Sequence, residues 1–425
     1  APRDYLSTFL KIGTIVGLAI GILIMRPTLT MPALTKFVDG TGPVWTGNLF
    51  PFLFITIACG AVSGFHALIS SGTTPKMLAN ESQACFIGYG GMLMESFVAI
   101  MALVAACIID PGVYFAMNSP MAVLAPAGTT DVVASAAQVV SGWGFSITPD
   151  TLHQIASEVG EQSIISRAGG APTLAVGMAY ILHGSLGGLM DVSFWYHFAI
   201  LFEALFILTA VDAGTRAARF MLQDLLGVIS PGLKKTSSLP ANLLATALCV
   251  LAWGYFLHQG VVDPLGGINT LWPLFGIANQ MLAGMALMLC AVVLFKMKRQ
   301  RYAWVALLPT SWLLICTLTA GWQKSFSPDT KVGFLAIANK FQAMIDSGNI
   351  PPQYTESQLA QLVFNNRLDA GLTIFFMIVV VVLALFSIKT ALAALKEDKP
   401  TAKETPYQAM PADAQTITAQ AKRAH

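Results

Sequence analysis

The sequence is poor in charge. Of 425 residues, only 11% are Asp, Glu, Lys or Arg, where a soluble globular protein carries about 25%. A surface so short of ionic groups does not face water over its whole extent. Paired cysteines are also missing. The six that occur (Cys59, Cys85, Cys107, Cys249, Cys290, Cys316) stand singly, mostly inside apolar runs, with no C-x-x-C among them. That spacing argues against a disulfide framework or a zinc site and for buried free thiols. A net charge of +2 gives no basic footprint for nucleic acid. The sequence contains no phosphate-binding G-x-x-x-x-G-K-[ST] loop, no H-E-x-x-H and no convincing G-x-S-x-G elbow. ATP-driven, zinc-hydrolase and serine-hydrolase readings therefore have no support, and neither an enzyme, a cofactor nor a bound metal is expected. No basic segment, short apolar stretch and small-residue cleavage site occur in order near Ala1, so no signal peptide is read there.

What the sequence has in abundance is apolar length. Hydrophobic residues make up 55% and the mean hydropathy is +0.66. The apolar residues come in runs of about 20, the length that spans a bilayer. Such runs lie near 12–25, 49–69, 89–109, 242–262, 271–295, 303–321 and 371–388. Residues 194–211 form another, with Glu203 in the middle, and 173–189 are shorter, glycine-rich and contain His183.

Positive charge orders these runs, because loops rich in Lys and Arg stay in the cytoplasm. The cluster Lys296, Lys298, Arg299, Arg301 and the loop with Arg216, Arg219, Lys234 and Lys235 are expected inside, and the turn with Asp263 outside. Residues 110–171 carry five acids and one base, Arg167, and read as an external loop. Passing from there to Arg216 requires an odd number of crossings. One crossing through 194–211 satisfies the rule and leaves 173–189 as a re-entrant or interfacial segment. The expected architecture is an all-α polytopic membrane bundle of about eight spans with both ends cytoplasmic. The transmembrane domain covers 1–395. A polar, proline-containing tail, 396–425, with Lys396, Lys399, Lys403, Lys422 and Arg423 follows it and is read as disordered. Residues 323–369 read as a polar external stretch in which 334–344 forms a short amphipathic helix.

Polar residues inside apolar runs are the candidates for function. The span near 49–69 ends in Ser70, Ser71, Gly72, Thr73, Thr74 and Pro75. Gly72 and Pro75 oppose continued helix, and broken backbone at membrane depth is tolerated only where protein or a water-filled cavity satisfies it. Broken helices in transporters bind substrates and ions, so Ser70, Ser71, Gly72, Thr73 and Thr74 are candidate substrate contacts. The competing reading is a cytoplasmic turn capped by hydroxyls. Asn279 and Gln280 lie inside another run and either bond a neighbouring helix or line a polar path.

Acids are the second group. A carboxylate at mid-span costs roughly 2.5–3.5 kcal/mol on insertion scales. Glu203 and Glu95 are candidate proton carriers, against the alternative of structural acids bonded to neighbouring helices. His66, in the broken-helix context, can shuttle protons; His183 and His197 are weaker candidates. Asp212 and Arg216 are spaced i and i+4 and can pair, as a gate with Arg216 clamping an anion or as a salt bridge at the membrane surface. Gly214 between them allows a kink.

Several of these stretches together resemble one family. The run Ser63-Gly64-Phe65-His66-Ala67-Leu68-Ile69-Ser70-Ser71-Gly72-Thr73-Thr74-Pro75-Lys76 is similar to the signature of the carbon starvation protein A family of bacterial inner-membrane transporters. So are the stretch from Phe194 to Arg216 and Leu271-Trp272-Pro273-Leu274-Phe275-Gly276-Ile277-Ala278-Asn279-Gln280. The tail Pro400-Thr401-Ala402-Lys403-Glu404-Thr405-Pro406-Tyr407 resembles the family's carbon-starvation branch more than its pyruvate-transporting branch. The resemblance implies uptake of pyruvate or short peptides during carbon starvation, with proton symport expected and sodium as the alternative ion. It also implies a fold of the amino acid–polyamine–organocation transporter type, with inverted repeats and broken helices. Family members are longer, with further spans before the point matching Ala1, so this chain is expected to be the later portion of such a transporter. A passive channel or facilitator and a nutrient-sensing membrane protein are the competing classes. Titratable groups in the spans weigh against the first. Oligomeric state is not legible.

Overall fold

In a computed structural model the described residues are 2–44, 46–126, 129–262, 267–351 and 354–402. Asp263, Lys403, Lys422, Arg423 and the remainder of the tail beyond 402 lie outside them. Among the described residues the secondary structure is entirely helical. Seven helices among them are long and apolar enough to cross a membrane.

α1 (Pro2–Met25) is followed by an irregular stretch and then by short pieces: α2 (Leu49–Thr56), α3 (Ala58–Ala61), α4 (Gly64–Gly72) and α5 (Thr74–Met77). α6 (Gln83–Cys107) is continuous. Residues 110–169, read as an external loop, are instead built from four short helices: α7 (Pro111–Asn118), α8 (Met121–Leu124), α9 (Val132–Gly142) and α10 (Pro149–Val159). Local chemistry sets their ends. Asp110 accepts hydrogen bonds from the Gly112 and Val113 amides ahead of Pro111, and Thr148 caps α10 ahead of Pro149. Proline in the first turn gives up an N–H that has no helical partner anyway. Gly160, at φ +76°, closes α10 in the left-handed conformation that suits glycine. These helices fold over α11 (Gly170–Ser185), and an aromatic group of Phe37, Phe115, Trp143 and Phe145 sits beneath them, with Phe115 and Phe145 stacked at 4.5 Å.

α12 (Val192–Ile229) has 38 residues and runs as one helix through Gly214, the position that allows a kink. α13 (Leu239–Val262), α14 (Gly267–Lys296) and α15 (Trp304–Phe326) follow. α16 (Phe334–Asp346) is the expected amphipathic helix. α17 (Glu356–Lys396) overturns one boundary. It begins 15 residues before the apolar run, at a reciprocal cap between Thr355 and Gln358, so residues 356–369 are helix and not a polar loop.

Among the described residues three hydrophobic cores result, the smallest of them between α16 and α17 around Phe341, Leu359 and Leu362. One of the larger two joins α1, α6 and α12 to the helices 111–185. The other joins α2, α14, α15 and α17. α11 packs among α1, α6 and α12; Gly177 meets the Ala105 backbone, and Gly21 and Met25 meet Ser185 and Gly184. α4 lies between the two halves. Gly64 is pressed onto α14, and Phe65 and Gly72 touch α12 at Gly214 and Ala217.

Candidate functional site

The backbone opens earlier than the Gly72–Pro75 signal suggests. α4 continues through Gly72, with only a local break at Thr73 before α5. The main interruption is at residues 57–63, between α2, α3 and α4, and it leaves the amides of the first turn of α4 to be satisfied by something other than the helix. Ser63 caps the helix, its hydroxyl accepting from the His66 amide. The Phe65 amide donates to Asn279 Oδ1 at 2.8 Å, and the Ser63 hydroxyl lies 3.4 Å from the same oxygen. Close approach makes this geometry possible. A Cβ on Gly64 would fall 2.2 Å from Leu282 Cβ and 2.3 Å from the Asn279 carbonyl oxygen. No side chain fits there, and glycine lets helices in membranes meet backbone to backbone.

Gln280 reaches the other side of the break. Its Nε2 donates to the Phe54 carbonyl at 2.6 Å, and its Oε1 accepts from Thr317 of α15 at 3.0 Å. Asn279 and Gln280 are each 2% exposed. Adjacent amides on α14 thus clasp the interrupted segment from both ends. The Nδ2 group of Asn279 is buried and finds no hydrogen-bond partner among the described residues. Around the opening, Cys59 lies against Ser63, and His66 Nε2 stands 3.4 Å from Glu95 Oε1 of α6. The structure therefore unites two candidates for proton coupling, His66 and Glu95, with the two amides.

Other candidates fall elsewhere. The hydroxyls of Ser70 and Ser71 return to the Ala67 carbonyl, and those of Thr73 and Thr74 to the Ile69 carbonyl. Glu203 is half-buried on uninterrupted α12 and pairs with none of the described residues. Asp212 and Arg216 form the expected i,i+4 pair at 3.0 Å, both substantially exposed. His183 Nδ1 is 2.7 Å from the Met190 carbonyl and His197 Nδ1 2.8 Å from that of Ser193, local structural bonds in both cases.

Sequence reasoning missed a third polar region. Thr317, Lys324 and Ser325 on α15 and Asn365, Asn366, Asp369 and Thr373 on α17 are all buried, Lys324 to 5% and Asp369 to 3% exposure. The helices touch where Gly321 meets Thr373. Two signals were available. Thr355-x-x-Gln358 is a helix-start pattern, and Asn365, Asp369 and Thr373 recur every four residues, one face of a helix leading straight into the apolar run.

An interrupted span, clasped by buried amides and flanked by continuous apolar helices, defines a multi-pass helical membrane protein with a polar site inside the bundle. The chain belongs to the carbon starvation protein CstA family, whose model matches residues 1–320. It is 93% identical over its full length to the peptide transporter CstA of Escherichia coli (strain K12), covering 61% of that relative. It is 59% identical, over 97% of its length, to the pyruvate/proton symporter BtsT of the same organism, covering 60% of that one. The peptide transporter CstA of Helicobacter pylori (strain 26695) is 52% identical over 96% of the chain, which covers 59% of it. The chain thus spans about three fifths of the length of these relatives. No solved structure matches it.

Proposed function

We propose that this chain carries the solute path of a proton-coupled secondary transporter of the bacterial inner membrane that imports short peptides or pyruvate when carbon is scarce. The observation that carries the reading is the interrupted segment 57–63 held by Asn279, with the His66–Glu95 contact beside it. The relatives named as a peptide transporter and a pyruvate/proton symporter supply the substrate classes and the coupling ion. Both solutes bear a carboxylate. The capped N-terminus of α4 presents backbone amides and the positive end of a helix dipole, and Asn279 Nδ2 is a buried donor beside it. His66 and Glu95 are the coupling pair we favour, because a proton taken up by the imidazole converts their contact into an ion pair. Glu203 remains a separate candidate, and Asp212–Arg216 a candidate gate at the α12 surface.

To this reading belongs a topology of eight crossings, one more than the seven long apolar helices among the described residues. In that topology the broken stretch α2–α5 returns the chain between α1 and α6, and α11 lies at the interface. Lys298 Nζ donates to the Ala394 carbonyl at 2.7 Å, which puts the basic cluster 296–301 beside the end of α17. Both chain ends then lie on the basic, cytoplasmic side. The tail from Lys396 is assigned to that side, and 1–395 to the membrane domain. Sodium in place of protons, passive facilitation and nutrient sensing are outcomes of the test.

The test is uptake by proteoliposomes holding the protein at its full natural length. Labelled pyruvate and labelled di- and tripeptides are offered with and without an imposed inward proton gradient. Accumulation that follows the gradient and collapses with a protonophore is expected. Uptake that ignores the gradient removes the coupling, and uptake that only equilibrates identifies a facilitator.

A further inference from the structure

A cavity of about 450 Å³ opens at the end of α15 away from the basic cluster 296–301. Its walls come from the turn before α2 and from the segment after α15, tied together by a 2.9 Å hydrogen bond from the Thr46 hydroxyl to the Lys331 carbonyl. Asp39, Asp329 and Lys331 lie around it, and Trp322, Phe326 and Phe52 supply its apolar surface. Asp39 is held by the Thr41 hydroxyl and amide, which keep its carboxyl below the usual carboxylate range. The Asp329 carboxylate accepts the Lys331 amide at 2.9 Å.

Phe52 is the floor. It is 1% exposed, and Lys324 Nζ lies 5.2 Å from its ring centroid and 5.8 Å from that of Phe334. A buried ammonium thus lies against the aromatic floor, a favourable cation–π arrangement. Beyond Phe52, Gln280 bonds the Phe54 carbonyl and Thr317, and its neighbour Asn279 bonds the interrupted segment.

We propose that this cavity is the outer vestibule for zwitterionic peptides, with Phe52 as its movable floor and Lys324 as the anchor that takes the peptide carboxylate. The inference rests on the transport reading and deepens it by naming the substrate class. The order of charges carries the choice. Carboxylates at the rim suit a peptide's ammonium, and the ammonium of Lys324 suits its carboxylate. Pyruvate carries only the negative group and meets two carboxylates against the single ammonium of Lys331. Lys324 has three N–H donors, so it can receive a carboxylate while keeping its present contacts.

The test uses the protein at its full natural length in proteoliposomes, with labelled dialanine, dialanine amide and pyruvate. Lys324→Gln is expected to raise KM for dialanine about tenfold or more, since a desolvated charge partner is lost, with kcat and the KM for the amide nearly unchanged. Lys324→Arg should recover part of the loss. Asp329→Asn should weaken dialanine and its amide alike and, by removing a repelling charge, strengthen pyruvate. Equal effects of Lys324→Gln on dialanine and its amide, or none on either, overturn the proposal. A second arm does not depend on translocation or on Lys324 variants. A Ser327→Cys protein is treated with a membrane-impermeant maleimide. Dialanine should slow the labelling more than pyruvate does, and equal rates with and without dialanine overturn the vestibule. Wild-type protein that moves no solute removes the transport reading, while this labelling still decides the vestibule.

Discussion

Ser70, Ser71, Thr73 and Thr74 direct their hydroxyls to nearby carbonyls of α4, whereas Asn279 and Gln280 reach across to α4, α2 and α15. Both groups interrupt apolar spans, and in the sequence they look equally suited to line a path. The difference lies in side-chain reach. A hydroxyl one bond from Cβ satisfies itself on the preceding turn of its own helix. A carboxamide has both a donor and an acceptor, so it can hold a neighbouring backbone on one side and keep capacity on the other. In a bundle where backbone groups have no water to turn to, the residues that bridge elements control where the chain can be broken.

The comparison can be broken most severely at Gly64. Gly64→Ala puts a methyl group where the Asn279 carbonyl and Leu282 already lie. Overpacking of this kind costs about 1–3 kcal/mol or more, and here it pries α4 off α14. Detergent-solubilised variant should melt well below the parent, and uptake should be lost. A variant with parental stability and uptake would show that the two helices are not clasped.

Asn279→Ala is expected to rank next. It leaves the Phe65 amide buried without an acceptor, a loss of about 1–3 kcal/mol. Uptake should fall more than thermal stability does, because the donor proposed to meet the substrate goes as well. Gln280→Ala should lower stability with a smaller effect on uptake, since both ends of that side chain are engaged within the protein.

Coupling separates the acids. Glu95→Gln and His66→Gln should each flatten the dependence of uptake on an imposed proton gradient, histidine being the side chain whose charge changes between roughly pH 5 and 8. Glu203→Gln should keep that dependence. The opposite pattern, with gradient dependence lost only in Glu203→Gln, moves coupling to α12. The smallest effect is expected for Ser71→Ala, within about 0.5 kcal/mol in stability and with uptake near the parent. A large loss of uptake there would reinstate the hydroxyl run as a binding element.

Much of the architecture was legible because lipid imposes a simple code. Most apolar runs marked long helices, while the run near 49–69 is divided among α2, α3 and α4. The Asp212–Arg216 pair and the helix at Phe334–Asp346 followed from i,i+4 spacing and amphipathic periodicity. What was not legible depends on contacts between distant residues. The break at 57–63 carries no proline, and its stability comes from Asn279, more than 200 residues away. Residues 110–169 looked like a loop because their helices are short and polar in parts, yet they cover α11 with a packed aromatic group. The start of α17 was hidden by its own polarity. Asn365, Asn366 and Asp369 read as solvent-exposed until packing against α15 buries them.

Cys59 offers the most direct measurement, since it sits half-buried at the interruption itself. In the full-length protein with the other cysteines replaced, its rate of modification by a small thiol reagent is measured with and without transported solute. If the interrupted segment lines the solute path, saturating peptide or pyruvate should slow the reaction several-fold, and Asn279→Ala should abolish that protection. Modification at the same rate with and without a solute that the same preparation transports would contradict the account.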